Sequence, residues 1–536
     1  MLSERIIAIF APYSLIENHH ISEVRLARLL SKEGAKVHFI TCNSGLPGLC
    51  TVMESYKLDL AASQVRRREI CDACISASKN PRLSSDQLSL KMSAREEAKF
   101  REYVDVFNTK HFSLAHRKVP VGQIALYETL IKYKKTSTEL NELEQKYYLE
   151  TLANTIATTD RAFDFFHGKK IDTLLCYSPQ YAVPGAFCAV ASLYGANVYF
   201  IEGSSNFEER YSHLRIWNWD KYGLNQPAMD NLEKYSSYKL SPKILKRVNR
   251  QIQTLEKAGS FSVYSSKPKN LSTKATFGLN SYSKVVLLCM SSYDEVFSAV
   301  ETGRFPKEKL QSTVFADQYE WLQEVIEWVS EKREVCLIIR PHPRDFPNKR
   351  EKVLAEQVSK WVKILRNLPD NVRVDEPINQ YSLYDHFKEV DVVLTGWSFS
   401  GLEALARGIP VVTYDSKLPS YPPSIHFSGL SKDVFFENIE KALLFKNSRL
   451  LIDESKRWLG FLMDLGTVKI GGPVEYGVGR NHRNIWRRVF FRTRLFTIYR
   501  LIYKIWYFRT VPTRKSRSKV SNLIRYQKNS LYECGH

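Results

Sequence analysis

The stretch that decides the fold runs from Asp391 to Asp415 and reads DVVLTGWSFSGLEALARGIPVVTYD. It opens with a β-branched run typical of a buried strand. Gly396 interrupts the run, Ser398 is placed to cap a following helix, and Gly408 ends that helix before a second apolar run. The order strand, helix, strand predicts a βαβ unit whose helix start, with Ser400 in its first turn, offers hydroxyls and free N–H groups suited to a phosphate. An ordinary crossover with a serine cap explains the same pattern.

Similar alternations extend outward from this stretch in both directions. In the second half they predict strands at Lys284–Met290 and Glu334–Arg340, and in the first half at Ile6–Ala11, Val37–Thr41, Ile171–Tyr177 and Asn197–Glu202. We therefore predict an α/β fold with two Rossmann-like domains, residues 1–255 and 256–475, followed by a tail at 476–536. No G-x-G-x-x-G follows the first strand, which disfavours a dinucleotide site there, and residues 43–90 are expected to be irregular.

Charge is concentrated in the tail. The 536 residues carry a net charge of +21, and residues 476–536 contain fifteen Lys and Arg against one acidic residue, Glu533. A tail of this kind predicts contact with an anionic surface. No run approaches the ~18 to 20 apolar residues of a membrane span, and Ile6–Pro12 lacks a signal-peptide cleavage site. We expect a cytoplasmic protein.

A second motif, Arg340-Pro341-His342-Pro343-Arg344, follows a predicted strand directly. Ligands of open α/β sheets bind beyond the carboxyl ends of the strands. Two prolines stiffen this loop, and its arginines and histidine predict an anion site. The alternative is a rigid loop with solvated arginines and a packed histidine.

Together these two motifs resemble the C-terminal half of GT-B glycosyltransferases of bacterial capsule and lipopolysaccharide synthesis. They are similar to the donor-site motifs of capsule Kdo transferases, polysialyltransferases and CDP-glycerol glycerophosphotransferases, over roughly residues 284–422. The resemblance implies two domains facing a cleft, with the acceptor in the N-terminal domain and the nucleotide in the C-terminal one. It also implies a nucleotide-sugar donor linked to CMP, CDP or UDP.

The resemblance assigns the donor phosphate to His342, Ser398 and Ser400, beside Arg340 and Arg344. Glu403 becomes a candidate for ribose or sugar hydroxyls. No D-x-D sequence occurs, so we expect catalysis without a metal and not the GT-A class.

A base for the acceptor hydroxyl is expected from the first half of the chain. Glu202 ends a strand before Gly203 and resembles, incompletely, the acidic-plus-glycine motif of polysialyltransferases. His19 and His20, after the first strand, are the other candidates. Each of the three has an ordinary structural explanation, as a strand-end carboxylate or as a surface or capping histidine.

Four early cysteines form a further candidate group. Cys71 and Cys74 give a C-x-x-C pair, and Cys42 and Cys50 would complete a Cys₄ zinc site, although seven residues separate them. We consider structural zinc, free thiols, and a redox or iron–sulfur centre as alternatives. The setting argues for structure more than catalysis.

The tail contains an amphipathic pattern from Leu495 to Trp506 with basic flanks, including the run Arg514–Lys519. This predicts an interfacial helix at an anionic membrane surface, facing the cytoplasm. A helix docked on the N-terminal domain is the alternative, and nucleic-acid binding lacks a recognisable module.

The sequence thus predicts a glycosyltransferase that extends a lipid-linked surface polysaccharide. The alternatives are a glycerol- or ribitol-phosphate transferase with a CDP-alcohol donor, and a non-catalytic scaffold of a polysaccharide assembly complex.

Overall fold

The computed structural model describes residues 2, 4–79, 85–104, 107–224, 226–257, 266–310, 312, 314–348, 352–376, 379–415, 420–472 and 513–534. The chain divides into two compact units. Unit 1 comprises Met1–Lys132, Thr138–Pro227 and Leu465–His536, and unit 2 comprises Tyr133–Ser137 and Ala228–Asp464. The division differs from the expected boundaries at 255 and 475, because the chain enters unit 2 earlier and returns to unit 1 near its end.

Unit 1 is built on a mainly parallel sheet. Its strands are β1 (Ile6–Phe10), β2 (Lys36–Cys42), β3 (Ser85–Leu88), β4 (Thr173–Tyr177), β5 (Asn197–Gly203), β6 (His213–Asn218) and β13 (Val468–Lys469). Within the described residues the order is β13-β6-β5-β4-β1-β2-β3, with β6 antiparallel to both of its neighbours. The central strands β1 and β4 are largely apolar and almost fully buried, as is typical of parallel strands covered on both faces.

The helices of unit 1 are α1 (Glu17–Lys32), α2 (Thr51–Ser55), α3 (Gln64–Ser78), α4 (Ala94–Val104), α5 (Val121–Tyr133), α6 (Glu142–Phe166), α7 (Ala182–Leu193), α8 (Trp219–Tyr222) and α20 (Arg514–Arg525). Helix α6 begins with a capping box, in which Asn141 and Glu144 each accept from the other's backbone N–H.

Unit 2 contains a sheet of six parallel strands in the described residues, in the order β12-β11-β10-β7-β8-β9. The strands are β7 (Lys284–Cys289), β8 (Val335–Arg340), β9 (Val372–Val374), β10 (Val392–Thr395), β11 (Val411–Thr413) and β12 (Phe427–Ser428). Residues 285–288 of the central strand β7 are fully buried. Each such side chain contributes about 1.5–3 kcal/mol of transfer free energy, so this strand anchors the unit.

The helices of unit 2 are α9 (Leu232–Ser236), α10 (Pro242–Glu256), α11 (Thr273–Phe277), α12 (Tyr293–Glu301), α13 (Lys307–Leu310), α14 (Gln318–Ser330), α15 (Val358–Ile364), α16 (Leu383–His386), α17 (Phe399–Leu405), α18 (Lys432–Leu443) and α19 (Ser448–Asp464). The α/β class with two Rossmann-like units is therefore confirmed.

The expectation that residues 43–90 are irregular is wrong. Helices α2 and α3 and strand β3 lie in this range. Helix α3 is capped by Ser63, whose hydroxyl accepts from the N–H of Arg66. Only five of its fifteen residues are buried, so its sequence carries no clear apolar period.

The C-terminal helix α20 packs into unit 1. Val520, Leu523 and Ile524 are buried in the same core cluster as β1. Nζ of Lys519 donates to the carbonyls of Leu465 and Thr467 at 2.6 and 3.1 Å. The run Arg514–Lys519 thus belongs to a docked helix, as the alternative interpretation of the tail expects. The predicted amphipathic helix at Leu495–Trp506 lies outside the described residues.

No helix in the described ranges combines the length and the hydropathy that crossing a bilayer requires.

Candidate functional site

In the sheet of unit 2, the order in which strands are added reverses direction between β7 and β10. From β7 the chain first adds β8 and β9 on one side and then β10, β11 and β12 on the other. In parallel sheets a ligand crevice opens at such a switch point, beyond the carboxyl ends of the two strands. The RPHPR loop follows β8 and the Ser398 turn follows β10, so the two sequence motifs lie on either side of β7.

The arginines of the RPHPR loop bind internal carboxylates. Arg340 pairs with Asp375 and donates to the carbonyl of Tyr381 at 3.0 Å. Arg344 is 4% exposed and pairs with Asp294, which is fully buried. Buried carboxylates thus engage part of each guanidinium and hold the loop, and the predicted contact of both arginines with a phosphate stays a prediction.

His342 is held in one orientation and in one protonation state. Its Nδ1 accepts a hydrogen bond from the backbone N–H of Arg344 at 3.3 Å. Burial, reinforced by the charges of Arg344, Arg340 and Lys134, lowers its pKa to about 4. The ring is thus neutral at pH 7, and because Nδ1 accepts, its proton is on Nε2. His342 therefore has a donor, and not an acceptor, at Nε2.

The turn after β10 supplies hydroxyls at the start of α17. Ser398 caps the helix, its Oγ accepting from the N–H of Ser400 at 3.2 Å and from the hydroxyl of Ser400 at 2.8 Å. A Cβ on Gly396 would lie 3.0 Å from Cε1 of Tyr414 and 3.4 Å from Oγ of Ser291. The glycine therefore keeps the end of β10 open.

Cys289, the last residue of β7, connects the two motifs. Burial raises the pKa of its thiol to about 11, while the charge of Arg340 and an interaction with the side chain of Ser400 lower it. Beside it, Oγ of Ser291 and Oγ1 of Thr395 are buried and have no hydrogen-bond partner among the described residues. Buried hydroxyls without partners are costly, and a polar ligand at this edge would satisfy them.

Glu403 lies one turn into α17 and is only partly available. One carboxylate oxygen accepts from the hydroxyl of Tyr384 at 2.8 Å, and the Arg407 guanidinium lies over the Tyr384 ring. Burial raises the pKa of Glu403. Its predicted role in binding ribose or sugar hydroxyls is compatible with this environment and stays a prediction.

The sheet of unit 1 has its own switch point, between β1 and β4. His19, in the first turn of α1, stacks on Tyr177 at the end of β4, with ring centroids 4.0 Å apart. The Tyr177 hydroxyl accepts from the N–H of Gly203 at 2.8 Å, and the charge of Glu202 helps burial to raise the Tyr177 pKa. Two of the three predicted base candidates therefore interact with Tyr177: His19 by ring stacking and Glu202 through its charge.

His20 differs from His19. It is 6% exposed, its ring is tilted against Phe39, and its Nδ1 lies 3.9 Å from the carboxylate of Glu23. Burial raises the pKa of Glu23 to about 8. His20 is thus a buried, packed histidine and not the surface or capping histidine of the alternative interpretation, and it is the weakest of the base candidates.

Sequence reasoning missed Glu128 and Tyr177. Glu128, on α5, is buried, and its carboxylate accepts from the N–H of Ala182 at the start of α7, 2.7 Å away. Burial and the nearby Glu54 raise its pKa to about 7. Only the tertiary fold brings a mid-helix glutamate to the edge of β4. A strand-end tyrosine also carries no motif.

The four early cysteines form no metal site. Within the part of the chain that the structure describes, no group of three or more His, Cys, Asp or Glu side chains is arranged to hold a metal ion. Cys71 and Cys74 lie on α3, and burial raises the pKa of Cys50 to about 12 and of Cys71 to about 11. Cys42 is shifted in the same direction by burial. The charges of these cysteines also raise one another's pKa values, so the four thiols lie near one another, but their arrangement does not support the expected zinc site.

No protein-family model and no curated protein sequence matches the chain.

Solved structures give distant likenesses. Thermosulfurimonas dismutans KpsC, a beta Kdo 2,4 transferase, is 14% identical, with 54% of this chain and 79% of that chain covered and a TM-score of 0.33. Methanocaldococcus jannaschii UDP-GlcNAc 2-epimerase, in complex with UDP-GlcNAc and UDP, is 14% identical, covering 85% and 99%, with a TM-score of 0.29. The spinosyn rhamnosyltransferase SpnG, complexed with thymidine diphosphate, is 11% identical, covering 85% and 98%, with a TM-score of 0.24. TM-scores this low support no assignment of activity to this chain.

Proposed function

We propose that this protein is a glycosyltransferase of the GT-B type that binds a nucleotide-activated sugar at the switch point of unit 2. The observation that carries the proposal is the approach of two separate motifs to Cys289. Arg340, the first residue of the RPHPR loop, pairs with Cys289 across β7 and β8, and the side chain of Ser400, in the first turn of α17, interacts with the Cys289 thiol. A phosphate there would receive the Nε2–H of His342 and hydroxyl contacts from the serines.

The chemistry of this class needs two things from the chain. The bond between the anomeric carbon and the donor phosphate breaks, and the nucleotide leaves with the electron pair. A bond forms between that carbon and an acceptor hydroxyl oxygen, whose proton passes to a base. We assign the first task to His342, Ser398 and Ser400, and the second to Glu202 or His19 of unit 1.

The finer parts of the proposal are the donor and the setting. We propose a CMP-, CDP- or UDP-linked donor, a lipid-linked saccharide acceptor, and action in the cytoplasm at the inner face of an anionic membrane. The net charge of +14 in residues 476–536 supports a membrane-facing tail. The docked helix α20 leaves that task to the residues before it.

The experiment is analysis of the nucleotide released from a panel of CMP-, CDP- and UDP-linked sugars and CDP-alcohols. Glycosyl transfer from a UDP-sugar releases UDP, whereas phosphoalcohol transfer from a CDP-alcohol releases CMP. Release of the intact nucleotide, lost in His342→Ala, is the expected result. CMP release from a CDP-alcohol would favour the phosphoalcohol transferase, and no release from any donor would favour the scaffold.

A further inference from the structure

Five residues between α5 and α6 belong by their contacts to unit 2, although the helices on either side belong to unit 1. This segment, Tyr133–Ser137, contains Lys134, whose side chain is fully buried. Lys134 adopts a left-handed backbone conformation with φ of +51°. Left-handed non-glycine residues carry strain and occur where the surrounding structure determines them strongly.

The ammonium group of Lys134 holds the loop that carries His342. Its Nζ donates to the carbonyl of Arg344 at 2.5 Å and to the carbonyl of Val353 at 2.8 Å. Its own carbonyl accepts from the N–H of Glu356 at 3.1 Å. The lysine therefore joins the RPHPR loop to the chain that follows it.

Glu356 anchors the rest of the segment. Its carboxylate accepts from the N–H of Thr136 at 2.7 Å, from the hydroxyl of Ser137 at 2.8 Å, and from Nζ of Lys135 at 3.0 Å. These bonds fix the segment on Glu356. Lys134 and Lys135 are thus neighbours with different tasks, which provides a matched pair for experiment.

Arg344 links Lys134 to the ligand site. Its carbonyl accepts from Lys134, and its N–H donates to Nδ1 of His342. Burying a charge costs free energy, so a buried lysine is tolerated where its hydrogen bonds offset that cost. Here those bonds fix the backbone on which the orientation of His342 depends.

We propose that Lys134 is a positioning residue of the donor site, which fixes the backbone of Arg344 so that Nε2–H of His342 points toward the donor phosphate. The proposal rests on the proposed function of unit 2. Around His342 the charged groups are Arg340 and Arg344, each paired with an aspartate, and Lys134 itself. The charge of Lys134 also acts on the carboxyl of Asp345.

The test is calorimetric titration of CMP, CDP, UDP and GDP into the full chain, in wild type, Lys134→Met and Lys135→Met. Far-UV circular dichroism at the same temperature identifies folded samples. We expect Lys134→Met to weaken binding of the preferred nucleotide about tenfold, and Lys135→Met by less than about twofold. The KM for the acceptor should be unchanged in both variants. A role in folding alone would lower the melting temperature without moving the Kd of the folded sample.

Wild-type affinity in folded Lys134→Met would overturn the inference and leave the proposed function standing. No binding of any nucleotide by the wild type would refute the proposed function, and the inference with it. If Lys134→Met does not fold, Lys134→Gln takes its place with the same expectation. Failure of both variants to fold would also overturn the inference, because Lys134 would then be a determinant of the fold.

Discussion

The backbone N–H of Arg344 donates to Nδ1 of His342 across 3.3 Å, so two residues of one loop determine which ring nitrogen carries a proton. A histidine fixed in this way carries its proton on Nε2. The loop itself is stabilised by two buried ion pairs, Arg340 with Asp375 and Arg344 with Asp294. Within the RPHPR motif, the two arginines thus stabilise the loop, and His342 between them is the residue assigned to ligand chemistry.

Arg344→Met is expected to destabilise the protein. It would leave the fully buried Asp294 without its guanidinium partner, and breaking a buried pair typically costs about 3–5 kcal/mol. Chemical denaturation should show a large loss in the free energy of unfolding. The double variant Arg344→Met with Asp294→Leu should recover much of it. A single variant as stable as wild type would show that the pair contributes nothing.

Gly396→Ala should weaken nucleotide binding. The added methyl would lie 3.0 Å from Cε1 of the buried Tyr414 ring and approach Oγ of Ser291, and so narrow the crevice between β7 and β10. We expect about a tenfold rise in the Kd of the preferred nucleotide, measured by calorimetry on folded protein, with a fall in melting temperature because the Tyr414 ring must shift. Unchanged affinity would place the ligand elsewhere.

The pH dependence of donor binding follows from the state of His342. Its pKa lies at about 4, below the ordinary value of 6.5, so the ring stays neutral as the pH falls from 8 to about 5.5. Affinity for a nucleotide sugar, whose phosphodiester does not titrate in this range, should therefore stay level. A rise in affinity with a midpoint near 6.5, absent from His342→Asn, would show an ordinary histidine and contradict the assignment.

The same shift has a consequence for stability. Because the folded state disfavours protonation of His342, the unfolded chain binds the proton more readily below pH 6.5. Stability is therefore lost as the pH falls from about 6.5 toward 4. His342→Asn should reduce this loss. The rest of the loss in stability should remain, because other buried histidines, such as His426, also have a lowered pKa.

The base is tested by substitutions in unit 1. Glu202→Gln and His19→Asn each preserve size, and loss of a general base typically lowers kcat by about 10²- to 10⁴-fold. Donor affinity, measured by calorimetry, should not change. Arg215→Met is the control for Glu202→Gln, because it removes the ion pair between Arg215 and Glu202 and keeps the carboxylate. Full activity in both base variants would direct attention to Glu128.

Much of the fold could be predicted because its strands are short apolar runs with clear breaks. Strand β7 was expected at Lys284–Met290 and lies at Lys284–Cys289, and β8 was expected at Glu334–Arg340 and lies at Val335–Arg340. Strand β6 was missed because its six residues, HLRIWN, mix polar and apolar side chains and form no continuous apolar run. Helix α3 was missed because it buries few residues.

The candidate site was less legible than the fold. Sequence placed His342 and Ser400 near strand ends, but the topology was needed to show that both adjoin β7. The pairing of Arg340 with Asp375 and of Arg344 with Asp294 could not be predicted, because the partners are 35 and 50 residues away. Tertiary pairs at such separations leave no local signal.

The most direct test of the donor site is calorimetric titration of CMP, CDP, UDP and GDP into wild-type protein and His342→Ala, with the exposed histidine variant His167→Ala as control. The account predicts that at least one nucleotide binds the wild type and His167→Ala equally well. Binding to folded His342→Ala should be weaker by about tenfold or more, the effect of one hydrogen bond to a charged group. Equal affinity of that nucleotide for wild type and folded His342→Ala would contradict the account.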